Sequence, residues 1–173
     1  TVGELASEAA LLTYLRLHPV DDLHLPLPVN NQQGQWLTAF DDDNHLLRVL
    51  SWVDGQLWSG FRPHSPQLIR HFGQQMARLD RVLGNFNHPG AHRELSWDLA
   101  QALWIKDQLS LHSSEQQTLL NHFIGRFEQH HGDYQQLRKQ VIHNDLNDNN
   151  VLIAMDDDHQ PGVKGFIDFG DAI

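Results

Sequence analysis

The chain has 173 residues, 40% of them apolar, enough for one domain, or part of a larger one, with an ordinary core. Its 12 basic and 22 acidic residues leave a net charge of −10, which argues against a nucleic-acid backbone as main partner, since phosphate contacts need clustered Lys and Arg. No apolar run approaches the about 20 residues that cross a membrane, and the N-terminus lacks the basic-then-apolar layout of a signal peptide. The absence of cysteine fits a cytoplasmic protein.

Leu5, Ala9, Leu12 and Leu15 recur at helical spacing and predict a helix over 2–17. Pro19 and the run Leu25 to Pro28 end it and impose an extended connection. Residues 36–40 and 46–53 read as two strands, and the polar turn Asp41-Asp42-Asp43-Asn44 between them suggests a hairpin. Ser65 and Pro66 have the chemistry of an N-cap and first helical residue; Leu68, Phe72, Met76, Leu79 and Leu83 then trace one face up to Gly84. A further helix is expected from Ser96 through Leu99, Leu103 and Ile105. Another is introduced by Ser114 with Gln117 as a capping box and carries Leu119, Phe123 and Phe127 before Gly132. The C-terminal stretch switches to short apolar runs separated by Asn/Asp-rich loops, which read as strand, loop, strand, hairpin turn at Asp156-Asp157-Asp158, and strand. The fold class is therefore α+β, with a small and a large half.

Two of those loops carry chemistry. The octad His143-Asn144-Asp145-Leu146-Asn147-Asp148-Asn149-Asn150 lies between apolar runs, and Phe166-Ile167-Asp168-Phe169-Gly170-Asp171 ends the last strand. Phosphoryl transfer from a magnesium nucleotide needs a base to orient the acceptor hydroxyl and oxygen ligands to hold the metal. Asp145 suits the base, and Asn150 and Asp168 suit the metal. His143 is expected to support the loop rather than react. Asn and Asp also favour plain turns, but two linked motifs in this order are more specific than either alone. The 13 histidines form no H-E-x-x-H pattern and have no cysteines beside them, so surface and capping roles are expected for them.

The paired motifs resemble the H-x-D-x-x-x-x-N and I-D-F-G-D loops of the aminoglycoside phosphotransferase and choline kinase superfamily, relatives of protein kinases. R-V-L-S-W-V-D-G-Q-L at 48–57, N-H-P-G-A-H-R-E-L-S-W-D-L at 87–99 and the H-N-D-L-N-D-N-N loop resemble its hydroxylysine-kinase-like branch. That branch includes kinase domains fused to pyridoxal-phosphate-dependent aminotransferases. Asn144 stands where much of the superfamily has Gly.

The resemblance implies a protein-kinase-like fold. Residues 1–53 would form part of the N-terminal lobe, without its Gly-rich loop and strand lysine. Residues 54–173 would form the core of the C-terminal lobe, truncated at its end. It also implies Mg2+ and ATP or GTP as phosphoryl donor, with a small cationic hydroxylated acceptor of hydroxylysine type. Aminoglycoside, choline, ethanolamine or homoserine-type acceptors are the alternatives. A reading of another class is a pseudokinase or nucleotide-sensing module attached to an aminotransferase, against which the intact triplet of Asp145, Asn150 and Asp168 argues.

The same resemblance calls for a helix glutamate that pairs with a strand lysine. At 100° per residue from Leu5, Glu8 falls near 300°, between Leu15 at about 280° and Leu12 at about 340°. An acid centred on the buried stripe is costly unless paired, so Glu8 is chosen, with Glu4 as fallback and an ordinary helix-face acid as the competing reading. Its lysine partner is absent from the chain. Trp52 and Val53 would lie at the hinge where backbone groups meet the purine, or at a plain strand end. Trp97 and Asp98 would lie near the acceptor pocket, although Asp98 also suits the first turn of a helix. Asp171 would support the metal loop. As an isolated polypeptide the chain is expected to show negligible kinase turnover.

Overall fold

The computed structural model describes residues 2–39 and 45–173. The expected turn Asp41-Asp42-Asp43-Asn44, Phe40 before it, and the side chain of Glu4 lie outside the described residues. Contacts divide the chain into two compact units, Thr1–His92 with Gln140–Ile173, and Arg93–Lys139.

In the first unit, helix α1 (Val2–Leu17) has the bounds that its periodicity predicts. It buries Ala9, and places Leu11, Leu12 and Leu15 in the main apolar cluster together with Leu79, Leu83, Phe166 and Phe169. Burying each of these leucines contributes about 1.5–3 kcal/mol, which holds a helix of mediocre intrinsic amphipathicity in place. Helix α2 (Pro66–Leu83) begins where Ser65 Oγ accepts the Leu68 N–H at 3.1 Å, with Pro66 as its first residue. Gly84 ends it in right-handed helical geometry rather than in the left-handed stop common for glycine. Its neighbour is α1, whose Tyr14 hydroxyl donates to the Val82 carbonyl.

The strand region differs from expectation in detail. Strand β2 (Thr38–Ala39) pairs antiparallel with β3 (Leu46–Leu47), which is the expected hairpin partnership. The second expected strand is interrupted at Arg48. Its remainder, β4 (Val49–Leu50), turns instead to β1 (Pro28–Val29) in the proline-rich connection. One long strand becomes two short ones because its two halves satisfy their backbone groups on different partners.

The main sheet is antiparallel, in the order β5 (Gln56–Leu57), β6 (Val151–Met155), β7 (Pro161–Phe166). Val151, Leu152 and Ile153 are buried in succession, as expected for a strand covered on both faces. The β6–β7 hairpin closes at Asp156-Asp157-Asp158, where Asp156 Oδ1 accepts the N–H groups of Asp158 and Gln160. His24 adds a parallel bridge to Gly165 on the outer side of β7, donating its N–H to the Lys164 carbonyl and accepting from Phe166. Gly165 makes this possible: a Cβ there would lie 2.5 Å from the His24 carbonyl oxygen and 2.7 Å from Val53 Cγ1. The strand that leads into the second acidic loop is thereby tied both to the connection after α1 and to residue 53.

In the second unit, the helix expected from Ser96 is a 3-10 segment, Leu99–Leu111, started by Asp98, whose Oδ1 accepts the Ala100 N–H at 2.9 Å. Helix α3 (Ser114–Gln135) opens with a capping box one residue earlier than expected. Ser113 Oγ accepts from Gln116 N–H, and Gln116 Oε1 accepts from Ser113 N–H. The helix also runs through Gly132 instead of ending before it. Leu119 and Phe123, carried by this helix as expected, are exposed, and neither α3 nor the 3-10 segment has a buried residue. An ion pair, Lys106 Nζ to Glu128 at 2.6 Å, joins the two. Among the described residues no helix is long and apolar enough to cross a membrane.

Gly165→Ala is expected to destabilise the protein by about 1–3 kcal/mol, the usual cost of overpacking, because one of the crowding atoms is backbone and cannot rotate away. Chemical denaturation checks this. An unchanged midpoint would show that the His24 bridge does not need the close approach.

Candidate active site

The octad from His143 to Asn150 is held at both ends. Before it, Ile142 exchanges backbone hydrogen bonds with Ile173, at 2.9 and 3.3 Å. After it, the Asn150 carbonyl accepts the Ile167 N–H at 3.0 Å, in register with the pairing of Val151 and Phe166. Asn150 therefore stands beside the residue that precedes Asp168. The Asp148 carbonyl accepts the Ser59 N–H at 2.8 Å, fastening the loop to the turn after β5.

Within the loop, Asp145 and Asn150 are in direct contact. Asn150 Nδ2 donates to the Asp145 carbonyl at 2.8 Å and to Asp145 Oδ2 at 2.9 Å, and Asn150 itself is buried. The five-residue spacing thus lets the amide fold back on the carboxylate that begins the turn. Asn147, which the sequence reading did not single out, donates from Nδ2 to Asp145 Oδ1 at 2.9 Å. Its place two residues after an aspartate, where Asx side chains close turns, is the signal that marks it.

His143 is 1% exposed and packs against Phe169, the rings tilted by 51° with centroids 4.4 Å apart. Its Nε2–H donates to the Ile167 carbonyl at 3.0 Å, and its Nδ1 accepts the Asp145 N–H at 3.4 Å. Both contacts require the neutral tautomer that carries the proton on Nε2. Burial pushes the His143 pKa below its ordinary value of 6.5 and outweighs the Ile167 carbonyl and the charges of Asp145 and Asp168, which pull the other way. This imidazole carries no charge near neutrality and joins the two acidic loops.

Backbone geometry explains the residue that stands between His143 and Asp145. Asn144 has φ of 66°, the left-handed region that glycine and asparagine tolerate best. Glycine or asparagine therefore serves the same turn. Its Nδ2 is buried with no hydrogen-bond partner in the structure. Asp168 is also left-handed, at φ 63°, and its Oδ1 accepts the Gly170 N–H at 3.4 Å, so it caps the 3-10 turn Phe169–Asp171. Asp168 is exposed, Asp171 partly so, and Phe169 between them is buried in the core. Helix α1 packs against this turn.

Glu8 is 6% exposed on α1, as its place on the apolar stripe requires. The sequence reading left it without a cation in the chain, and the structure corrects this: Arg48 Nη1 forms an ion pair with Glu8 Oε2. Arg48 sits at the break between β3 and β4 and is the only Lys or Arg between Arg16 and Arg62, a sequence signal that could have identified it. A charge buried this deeply would be costly alone, so the pair accounts for an acid in the middle of an apolar face.

At the expected hinge the two residues behave differently. Trp52 is 87% exposed, whereas Val53 is buried beside Gly165. In the other unit, Asp98 is the N-cap of the 3-10 segment and Trp97 is exposed. The cap uses one carboxylate oxygen, Oδ1.

A neutral buried histidine links pH to stability with a definite sign. The unfolded chain takes up a proton at the ordinary pKa of 6.5 and the folded protein only below that. The stabilisation is therefore complete above about pH 6.5 and is lost as pH falls toward the folded value, by at most about 1.4 kcal/mol per pH unit. Thermal melts from pH 7.5 to 5 are expected to fall more steeply for the native protein than for His143→Gln. Parallel curves would remove the linkage.

Comparison with known proteins bears on the family and the fold. The phosphotransferase enzyme family (APH) matches residues 1–172. The hydroxylysine kinase of Bos taurus is 29% identical over 138 residues, which cover 74% of this chain and 36% of the relative, so the chain spans about a third of that protein's length. Among solved structures, the GDP and kanamycin complex of APH(2")-IIia has a TM-score of 0.68 at 20% identity, covering 98% of this chain and 57% of that one. A microcompartment-associated aminopropanol kinase also has a TM-score of 0.68, at 21% identity, covering 100% of this chain and 55% of the other. At these identities the structural likeness establishes the fold, which is protein-kinase-like and of the aminoglycoside phosphotransferase type. With the sequence match running over nearly every residue, the chain belongs to the phosphotransferase enzyme family.

Proposed function

We propose that the protein transfers the γ-phosphoryl group of a magnesium nucleotide, ATP or GTP, to the hydroxyl of a small amino alcohol or hydroxylated amino acid of hydroxylysine type. The observation that carries this reading is the Asp145 carboxylate, held by the Asn150 amide at 2.9 Å in a loop cross-tied to the turn that bears Asp168. Asp145 accepts the proton of the acceptor hydroxyl as its oxygen bonds to the γ-phosphorus. The bond from that phosphorus to the β–γ bridging oxygen breaks, and the nucleoside diphosphate leaves.

The donor set fits a hard cation. Asn150 commits its amide nitrogen to Asp145, which leaves Oδ1 as its available oxygen, and Asp168 offers an exposed carboxylate. Amide and carboxylate oxygens are the ligands magnesium takes, with water and phosphate oxygens completing its shell. A bound magnesium ion would neutralise charge on the phosphates. Asn150 and Asp168 would hold it, His143 and Asp171 would support the two loops, and Glu8 would orient a cation toward the phosphates. Trp52 and Val53 would border the purine, and Trp97 and Asp98 would face the acceptor. In this reading residues 1–53 belong to the N-terminal lobe and 54–173 to the C-terminal lobe.

The acceptor class is supported by the names of the relatives, a hydroxylysine kinase and an aminopropanol kinase, both of which act on amino alcohols. The net charge of −10 favours a cationic acceptor over an anionic one. The nucleotide donor and the lack of cysteine support a cytoplasmic setting.

Asp145→Asn in the full-length protein is expected to lower kcat by roughly 10²–10⁴-fold, the usual contribution of a general base, and to leave nucleotide affinity within about threefold. A coupled assay across hydroxylysine, aminopropanol, choline and an aminoglycoside measures both turnover and acceptor preference. Turnover unchanged by the substitution would remove Asp145 from the mechanism.

A further inference from the structure

A carboxylate that serves as a base must present a lone pair in one direction, yet a free aspartate side chain turns readily about its last bond. In this loop both oxygens of Asp145 are engaged. Oδ2 accepts from Asn150 Nδ2 at 2.9 Å and Oδ1 accepts from Asn147 Nδ2 at 2.9 Å. Each oxygen has two lone pairs, so one on each remains for a substrate.

The two donors differ in their other duties. Asn150 is buried and belongs to the proposed metal set. Asn147 is exposed, and its remaining side-chain bond is internal: Oδ1 accepts the Asn149 N–H at 2.8 Å, while its carbonyl accepts the Asn150 N–H at 3.0 Å. These contacts also settle which end of the amide faces Asp145. Reversing it would set oxygen against a carboxylate oxygen and an NH2 group against the Asn149 N–H, so both bonds would become repulsive.

We propose that Asn147 is a positioning residue for phosphoryl transfer, whose Nδ2–H fixes the plane of the Asp145 carboxylate so that its free lone pair meets the acceptor hydroxyl. The proposal rests on Asp145 as the base and adds a residue that touches neither metal ligand through its side chain. With Asn150 alone, Oδ2 would be tethered while Oδ1 swung about it. With both, the carboxylate is held at two points about its rotation axis. Misplacement of a reacting group by about 1 Å costs on the order of 10²-fold in rate, so loss of the second tether is expected to act on kcat.

The competing role for Asn147 is to close the turn at 147–149. Asn147→Asp separates the two, because an aspartate oxygen can still accept the Asn149 N–H but has no hydrogen to give Asp145. Asn147→Ser keeps a short turn-closing oxygen, adds no charge and cannot reach Asp145. In the full-length protein both variants are expected to lower kcat by about 10- to 100-fold, with the nucleotide KM and the melting temperature close to native. Asp145→Asn is assayed beside them. If it abolishes turnover while both Asn147 variants keep native kcat, the positioning role is overturned and the base stands. If both Asn147 variants lose nucleotide binding or melt early along with kcat, Asn147 is a turn residue and the proposal is likewise overturned. Turnover retained by Asp145→Asn overturns both the base and its positioning partner.

Discussion

The site depends on one uncharged imidazole. His143 stands between two loops rich in aspartate, and burial keeps it neutral against the pull of Asp145 and Asp168. As a neutral ring it donates to Ile167 in one loop and accepts from Asp145 in the other, so a single side chain sets their spacing. Protonation would remove the Nδ1 acceptor and place a charge in the core beside Phe166 and Phe169. The contact of His143 with Phe169 carries this constraint inward, because Phe169 belongs to the same apolar cluster as Leu11, Leu12 and Leu15 of α1.

Through that cluster the chemistry of the loops is coupled to the packing of a helix that lies far away in sequence. Helix α1 buries leucines against the core and, on the same stripe, carries Glu8, whose charge is balanced by Arg48. The pair recruits the break between β3 and β4 to the helix, and the His24 bridge ties the connection after the helix to the strand that leads into the Asp168 turn. Glycine at position 165 permits that contact by giving up its side chain. Rigidity around Asp145 therefore comes from several small tethers, each satisfying a backbone or charged group that would be costly to bury alone.

The second unit follows a different physical rule. Neither of its two elements has a fully buried residue, each is started by its own cap, and the Lys106–Glu128 ion pair links them. Periodicity locates α3 but does not report its exposure. Leu119 and Phe123 have helical spacing, but spacing reports which side chains share a face, not whether anything covers that face. The one-residue shift of the capping box has a similar cause. Ser113-Ser114 and Gln116-Gln117 each provide a serine with glutamine three residues on, and only the backbone geometry at Ser113 decides between them.

What the sequence determined by itself was whatever short range imposes: the span of α1, the Ser65-Pro66 start of α2, the acidic hairpin tip at 156–158, the placement of Glu8 on a buried stripe, and two acidic loops in the order that phosphoryl transfer needs. These follow from helical period, capping chemistry and turn preference, all set within a few residues. Only the tertiary structure decided which partners lie far apart in the chain. It paired Glu8 with Arg48 across 40 positions, divided the strand after the first hairpin between two neighbours, and bonded His143 to a carbonyl 24 residues away. It also turned Asn147 from a turn residue into a donor to Asp145. Such contacts depend on where the packed core leaves an unsatisfied charge or hydrogen-bonding group, and no local pattern records that.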